Sequence, residues 1–149
     1  MTHPFLFYKE AHAAGDPTYR APQDAVASWR NLAEQVRAEL ARIGLPVTVL
    51  SAEASESKPV GAHVLVHETQ PFGVTVDWHT PVENSESFIQ KIANQDLDGL
   101  VGYVGNANRI ITRLLFDVLK EAHFRVLIDY QERGKYLYRV LEPPRFPMV

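Results

Sequence analysis

Two segments, Gly61-Ala-His-Val-Leu-Val-His-Glu68 and Val74-Thr-Val-Asp-Trp-His79, gather three histidines and an aspartate within one short stretch of chain. Imidazoles and carboxylates ligate zinc, nickel, copper or iron, and histidine is the side chain that exchanges protons near neutral pH. Both segments alternate apolar and polar residues with a period of two, the pattern of half-buried strands. Joined by Thr69-Gln-Pro-Phe-Gly73, they read as a hairpin. A register that pairs Val64 with Trp78 and Val66 with Val76 places every large apolar residue except Leu65 on one face. The same register sets His63 opposite His79 and His67 opposite Thr75, with Asp77 between them. His63 and His79 then stand close enough to share an ion. Against this, an open strand surface lacks the pocket and the outer hydrogen-bond partners that metal sites use. The expectation is a partner-binding or solvated face formed by His63, His67, Asp77 and His79, with no metal and no cofactor.

Elsewhere the chain offers little chemistry. Its 149 residues contain no cysteine, which removes thiolate metal sites, disulfide frameworks and cysteine nucleophiles together. Neither G-x-S-x-G nor H-E-x-x-H occurs. Ser51, Ser55, Ser57, Ser85 and Ser87 fall where turn and cap chemistry explains serine. The pairs Asp96/Asp98 and Glu53/Glu56 read as exposed. Gly99-x-x-Gly102-x-x-Gly105 precedes a helix, but no parallel strand leads into it and the G-x-G-x-x-G spacing is missing, so close packing or a kink is expected rather than phosphate binding. No catalytic residue is assigned, and the chain leans away from an enzyme. Arg109, Arg113, Lys120, Arg125, Arg133, Lys135, Arg139 and Arg145, interleaved with Tyr130, Tyr136 and Tyr138, sketch a base-stacking surface. A net charge of −3 and a register that turns those tyrosines inward argue against nucleic acid.

The elements that must position these residues are legible from periodicity. Phe5–Tyr8 suggests a short strand, and His12–Arg20 a loop. Val26, Trp29, Ala33, Val36, Leu40 and Ile43 recur every three or four residues between Pro22 and Gly44, which predicts a long helix with one apolar stripe. Pro46–Leu50 follows as a strand. After the histidine hairpin, Asn84 or Ser85 can cap a helix holding Phe88, Ile89 and Ile92. A second long helix is predicted over Asn106–Ala122. The glycines at 99, 102 and 105 leave its first half, from Asp96, as a turn or a separate short helix. A second hairpin pairs Val126 with Val140, Ile128 with Tyr138 and Tyr130 with Tyr136 around a Glu132-Arg-Gly134 link. The Pro-rich tail, 142–149, cannot form a regular element.

This order predicts one α+β domain over 1–149. It is a two-layer sandwich whose mostly antiparallel sheet (two hairpins plus one or two further strands) is covered on one face by two long helices. Average composition, no apolar run of membrane-spanning length and no secretory-type N-terminus lead to the expectation of a cytoplasmic protein. No motif is specific enough to carry over a known family's function. The leading expectation is a non-enzymatic module that binds another protein, such as a toxin-neutralising immunity protein or a small regulatory subunit, and a homodimer is compatible with it. Its contact residues would be His63, His67, Asp77 and His79, with Tyr8 and Phe146 as aromatic anchors; Phe146 and Met148 would dock on the domain itself or on a second chain. The runner-up is a small metal- or ligand-binding enzyme using the hairpin histidines, and a nucleic-acid-binding regulator stands third.

Overall fold

Nine elements follow one another in the computed structural model, which describes residues 2–54, 58–131 and 135–146. They are α1 (Leu6–Ala14), α2 (Gln23–Arg42), β1 (Val47–Ser51), β2 (Gly61–His67), β3 (Gly73–His79), α3 (Glu86–Ala93), α4 (Leu100–Glu121), β4 (Arg125–Tyr130) and β5 (Tyr136–Glu142), with a single 3₁₀ turn at Pro81–Asn84. The five strands form one sheet in the order β1-β2-β3-β5-β4. β1 runs parallel to β2, and every other neighbour is antiparallel. The fold class is α+β, as the element order predicts.

Periodicity located the core correctly. Val26, Trp29, Leu32, Ala33, Val36 and Leu40 of α2 are buried against Ala62, Val64, Val66, Val74, Val76 and Val140 of the sheet. Leu115 and Leu119 of α4 complete the same cluster. Burying each large aliphatic contributes roughly 1.5–3 kcal/mol, so this front-face contact dominates stability. Ile43 departs from the expected stripe: it lies past the last turn of α2 and is exposed. The second hairpin has the predicted register, Val126 with Val140, Ile128 with Tyr138 and Tyr130 with Tyr136, but of the tyrosines expected to turn inward only Tyr138 packs on the core, while Tyr130 and Tyr136 are exposed because the hairpin's link end runs past the helices. Its Glu132–Gly134 link lies outside the described residues, as does Met148.

Four local expectations are corrected. Residues 5–8 are not a strand. Leu6–Ala14 is a helix, because Phe7 and Ala11, four apart, bury one face and Gly15 closes the end in a left-handed conformation. Helix α4 is continuous from Leu100, with Gly102 and Gly105 inside it. A side chain at 105 would meet nothing within 4 Å, so that glycine serves no close packing. β5 extends to Glu142, opposite Arg125, one residue into the segment expected to be irregular.

The fourth correction moves the first hairpin by two residues. His63 faces Asp77, Val64 faces Val76 and His67 faces Gly73. The cause is a tight turn: Phe72 N–H donates to the Thr69 carbonyl at 2.8 Å, and Phe72 adopts a left-handed conformation with its ring fully buried. The five-residue link accordingly spans 68–72 rather than 69–73. A two-residue slip preserves which side chains share a face, so Val64, Val66, Val76 and Trp78 still point at the helices. His63, His67, Thr75, Asp77 and His79 share the back face.

Candidate functional site: a cleft where two strands part

β3 and β5 pair at two positions, Val74 with Val140 and Thr75 with Arg139. Beyond Thr75 they separate, with Val76–His79 remaining on β2 and Tyr136–Tyr138 remaining on β4. The separation opens a cleft of about 550 Å³ that reaches side chains of both sheet faces. Trp78, Tyr136 and Tyr138 supply aromatic walls, and Asn108, Arg109 and Thr112 of α4 close one side. His63, His67, Asp77 and His79 all line it. The volume falls within the range of small-molecule sites, which combine apolar walls with a few placed polar groups.

The histidine face is not the open surface the sequence suggests. His63 is 1% exposed. Its cover is the returning end of the β1–β2 connection, where the Pro59 carbonyl accepts a hydrogen bond from His63 Nε2. Nδ1 of the same ring is 2.9 Å from Asp77 Oδ1. A carbonyl and a carboxylate are both acceptors, so both ring nitrogens of His63 are engaged within the protein. His79 stacks on His63 with centroids 5.8 Å apart and planes 24° from parallel. His79 Nδ1 lies 3.2 Å from Glu83 Oε2, and its Nε2 lies 3.1 Å from Asn84 Oδ1. Two histidine–carboxylate pairs are thus stacked along the lining of the cleft.

Glu83 holds the second pair in place. Its carboxylate accepts from the Thr80 backbone N–H at 2.9 Å and from Asn108 Nδ2 at 3.0 Å, tying the 3₁₀ turn to α4. His67 Nε2 pairs with Thr75 Oγ1 at 2.8 Å. Burial, reinforced by the positive charges of Arg139 and Lys58 against the opposing charge of Glu53, pushes the His67 pKa down to about 4. This ring is therefore neutral at pH 7. Among the described residues, no group of three or more His, Asp or Glu is arranged to hold a metal ion.

Two residues that line this cleft carry a buried polar atom with no hydrogen-bond partner among the described residues, the indole Nε1 of Trp78 and Oδ1 of Asn108. Burying such a group unpaired costs roughly 1–3 kcal/mol, and natural structures keep few of them. One is a donor and the other an acceptor.

The two remaining candidate anchors lie elsewhere. Tyr8 belongs to a buried cluster around Arg139, donating its hydroxyl proton to the Pro71 carbonyl at 2.9 Å and accepting from Arg139 Nη2 at 2.8 Å. Burial, partly offset by Arg139, raises its pKa above the usual phenol value. Its polar end is spent inside the protein. Phe146 is 85% exposed and does not pack on its own domain. Sequence reasoning missed Glu83, Asn108, Arg109, Lys58 and Lys135 as cleft residues. Thr80-x-x-Glu83 is a readable helix-start signature. The others are brought in by long-range packing and carry no local signal.

Among the described residues, no helix is long and apolar enough to cross a membrane. No family model matches the chain, and comparisons with curated proteins and with solved structures return no significant match.

Proposed function

We propose that this is a binding protein whose working site is the cleft between β3 and β5, and that the occupant is a compact, small-molecule-sized group. The observation that carries this reading is the concave, aromatic-lined space of about 550 Å³ between the parted strands, with polar side chains of both strands and of α4 on its walls. The histidines support binding over catalysis. Both ring nitrogens of His63 and of His79 are engaged by protein acceptors. A general base needs a nitrogen aimed at the substrate proton.

The test is a ¹⁵N-resolved NMR titration of the full chain with a mixed library of small fragments. Shifts concentrated on the Trp78 indole N–H, the Asn108 side-chain amide and the backbone of Val76–His79 and Tyr136–Tyr138 are expected. A library that leaves the Trp78 indole unmoved while shifting another surface overturns the reading.

A protein-binding role is favoured by a separate observation. Tyr103, Ile110 and Leu114 are exposed along one line of α4, beside exposed Ile89 and Ile92 of α3 and the nearby Leu97. An apolar stripe of this kind marks an interaction face, and a second copy of the chain is the partner proposed for it. Sedimentation of the parent and of Ile110→Glu/Leu114→Glu tests this: a dimer in the parent that the variant abolishes supports it. A monomer at all concentrations removes it.

A further inference from the structure

Resting on the cleft reading, we infer that the ligand is a small planar aromatic anion. Three cations reach the cleft from three different parts of the chain: Lys58 at the end of the β1–β2 connection, Arg109 on α4 and Lys135 just before β5. The two carboxylates that line it, Asp77 and Glu83, are each paired with a histidine, and Glu83 is further occupied by the Thr80 N–H and by Asn108. Among the described residues, none of the three cations has a carboxylate within ion-pair distance; Arg109 bonds the neutral Asn106 side chain at 2.6 Å. Three cations face two carboxylates that are already engaged by protein partners, so the cleft is complementary to negative charge.

The shape of the cleft suits a planar ligand. Trp78, Tyr136 and Tyr138 line the space between the parted strands, with Leu65, Val76 and Leu137 as apolar fill. Flat aromatic walls favour stacking against a planar ring, and Trp and Tyr add polar edges beside an apolar body. A volume of about 550 Å³ accommodates a two-ring acid with its charged group at the cationic rim. Free metabolites and the aromatic acid ends of larger molecules share this chemistry; the commitment is to the free small molecule.

The experiment compares 2-naphthoate with its neutral counterpart 2-naphthamide. Each is titrated by NMR, following the Trp78 indole, into the full-length parent and into Lys58→Gln/Arg109→Gln/Lys135→Gln. Naphthoate is expected to bind at least about tenfold more tightly than naphthamide. That preference should shrink to under about threefold in the triple variant and should weaken between 20 mM and 300 mM salt, because exposed charges are screened. Equal binding of acid and amide overturns the anion inference while leaving the cleft as a site. A preference that survives the triple substitution overturns the assignment of the three cations. If neither aromatic probe moves the Trp78 indole, while fragments of other chemistry do, the ligand class is wrong. If nothing in the library does, the cleft reading fails with it.

Discussion

The Arg139 cluster and the β3–β5 cleft are two polar regions of one sheet that adjoin along β5, where Tyr138 of the cleft wall precedes Arg139. Arg139 is fully buried. Its guanidinium donates to Asp129 Oδ2 at 2.7 Å, to the Pro71 carbonyl and Tyr8 hydroxyl at 2.8 Å each, and to the Phe72 carbonyl, while the Phe5 ring lies 5.0 Å from its centre. Nε, Nη1 and Nη2 are all used, and the cluster ties α1, the first hairpin turn and β4 to β5. The backbone is shaped around it: a side chain at 73 would come within 2.9 Å of the Pro4 ring, and Gly73 is left-handed there. Across Tyr138 the arrangement changes. The strands part, and a buried donor and a buried acceptor have no partner among the described residues. A polar cluster built for stability closes its hydrogen bonds. One that is incompletely closed beside a cavity is shaped for something else.

Breaking the closed cluster should have the largest effect. Arg139→Met keeps length but strands Asp129 and three backbone or hydroxyl acceptors, so a loss of about 3–5 kcal/mol is expected in urea denaturation. A loss under about 1 kcal/mol would mean that the cluster is not a stabilising centre, and the contrast with the cleft would dissolve.

Acid should act next, through His67. Its pKa of about 4 in the folded protein lies below the ordinary value near 6.5. Between those values the unfolded chain binds the extra proton, so stability is complete above about pH 6.5 and falls as pH drops toward 4. The expected loss is up to about 3 kcal/mol. It should flatten in His67→Gln when denaturation midpoints are compared at pH 7, 5.5 and 4.5. An identical slope in parent and variant would assign the acid sensitivity to other groups.

Smaller effects sharpen the comparison. Tyr8→Phe removes one acceptor from Arg139 and one donor to Pro71 and should cost about 1–2 kcal/mol. Asn108→Leu at the cleft deletes an unsatisfied acceptor together with one bond to Glu83. These oppose each other, so a net change within about 1 kcal/mol is expected. Equal losses for the two variants, measured side by side by chemical denaturation, would mean that the cleft is as tightly closed as the Arg139 cluster.

Much of the architecture is written locally. The alternation in Gly61–His79, the three-and-four spacing of Val26 to Leu40 and the register of Val126–Tyr130 with Tyr136–Val140 each set a face that burial then used. These patterns are short-range, and the hydrophobic effect acts on them wherever the segment is placed. The same local reasoning separated the histidine face from the core face correctly, and a two-residue slip could not reverse that. It failed at Phe5–Tyr8, where four aromatic and aliphatic residues look like a strand until Phe7 and Ala11 find a common pocket beside Trp29 and Phe72.

The tertiary structure alone decided what the polar residues do. Arg139 reads in sequence as one base among several near the C-terminus, yet its partners come from residues 8, 71, 72 and 129. His63 reads as exposed until Pro59, returning from the parallel β1–β2 connection, covers it. Glu83 and Asn108 are twenty-five positions apart and meet because the 3₁₀ turn lies beside α4. The sequence by itself determined which faces are apolar, because periodicity is a property of neighbouring residues. Which polar groups are paired, buried or left open depends on the strands that diverge after Thr75 and on the segments that fold back over them, and those contacts are made between residues far apart in the chain.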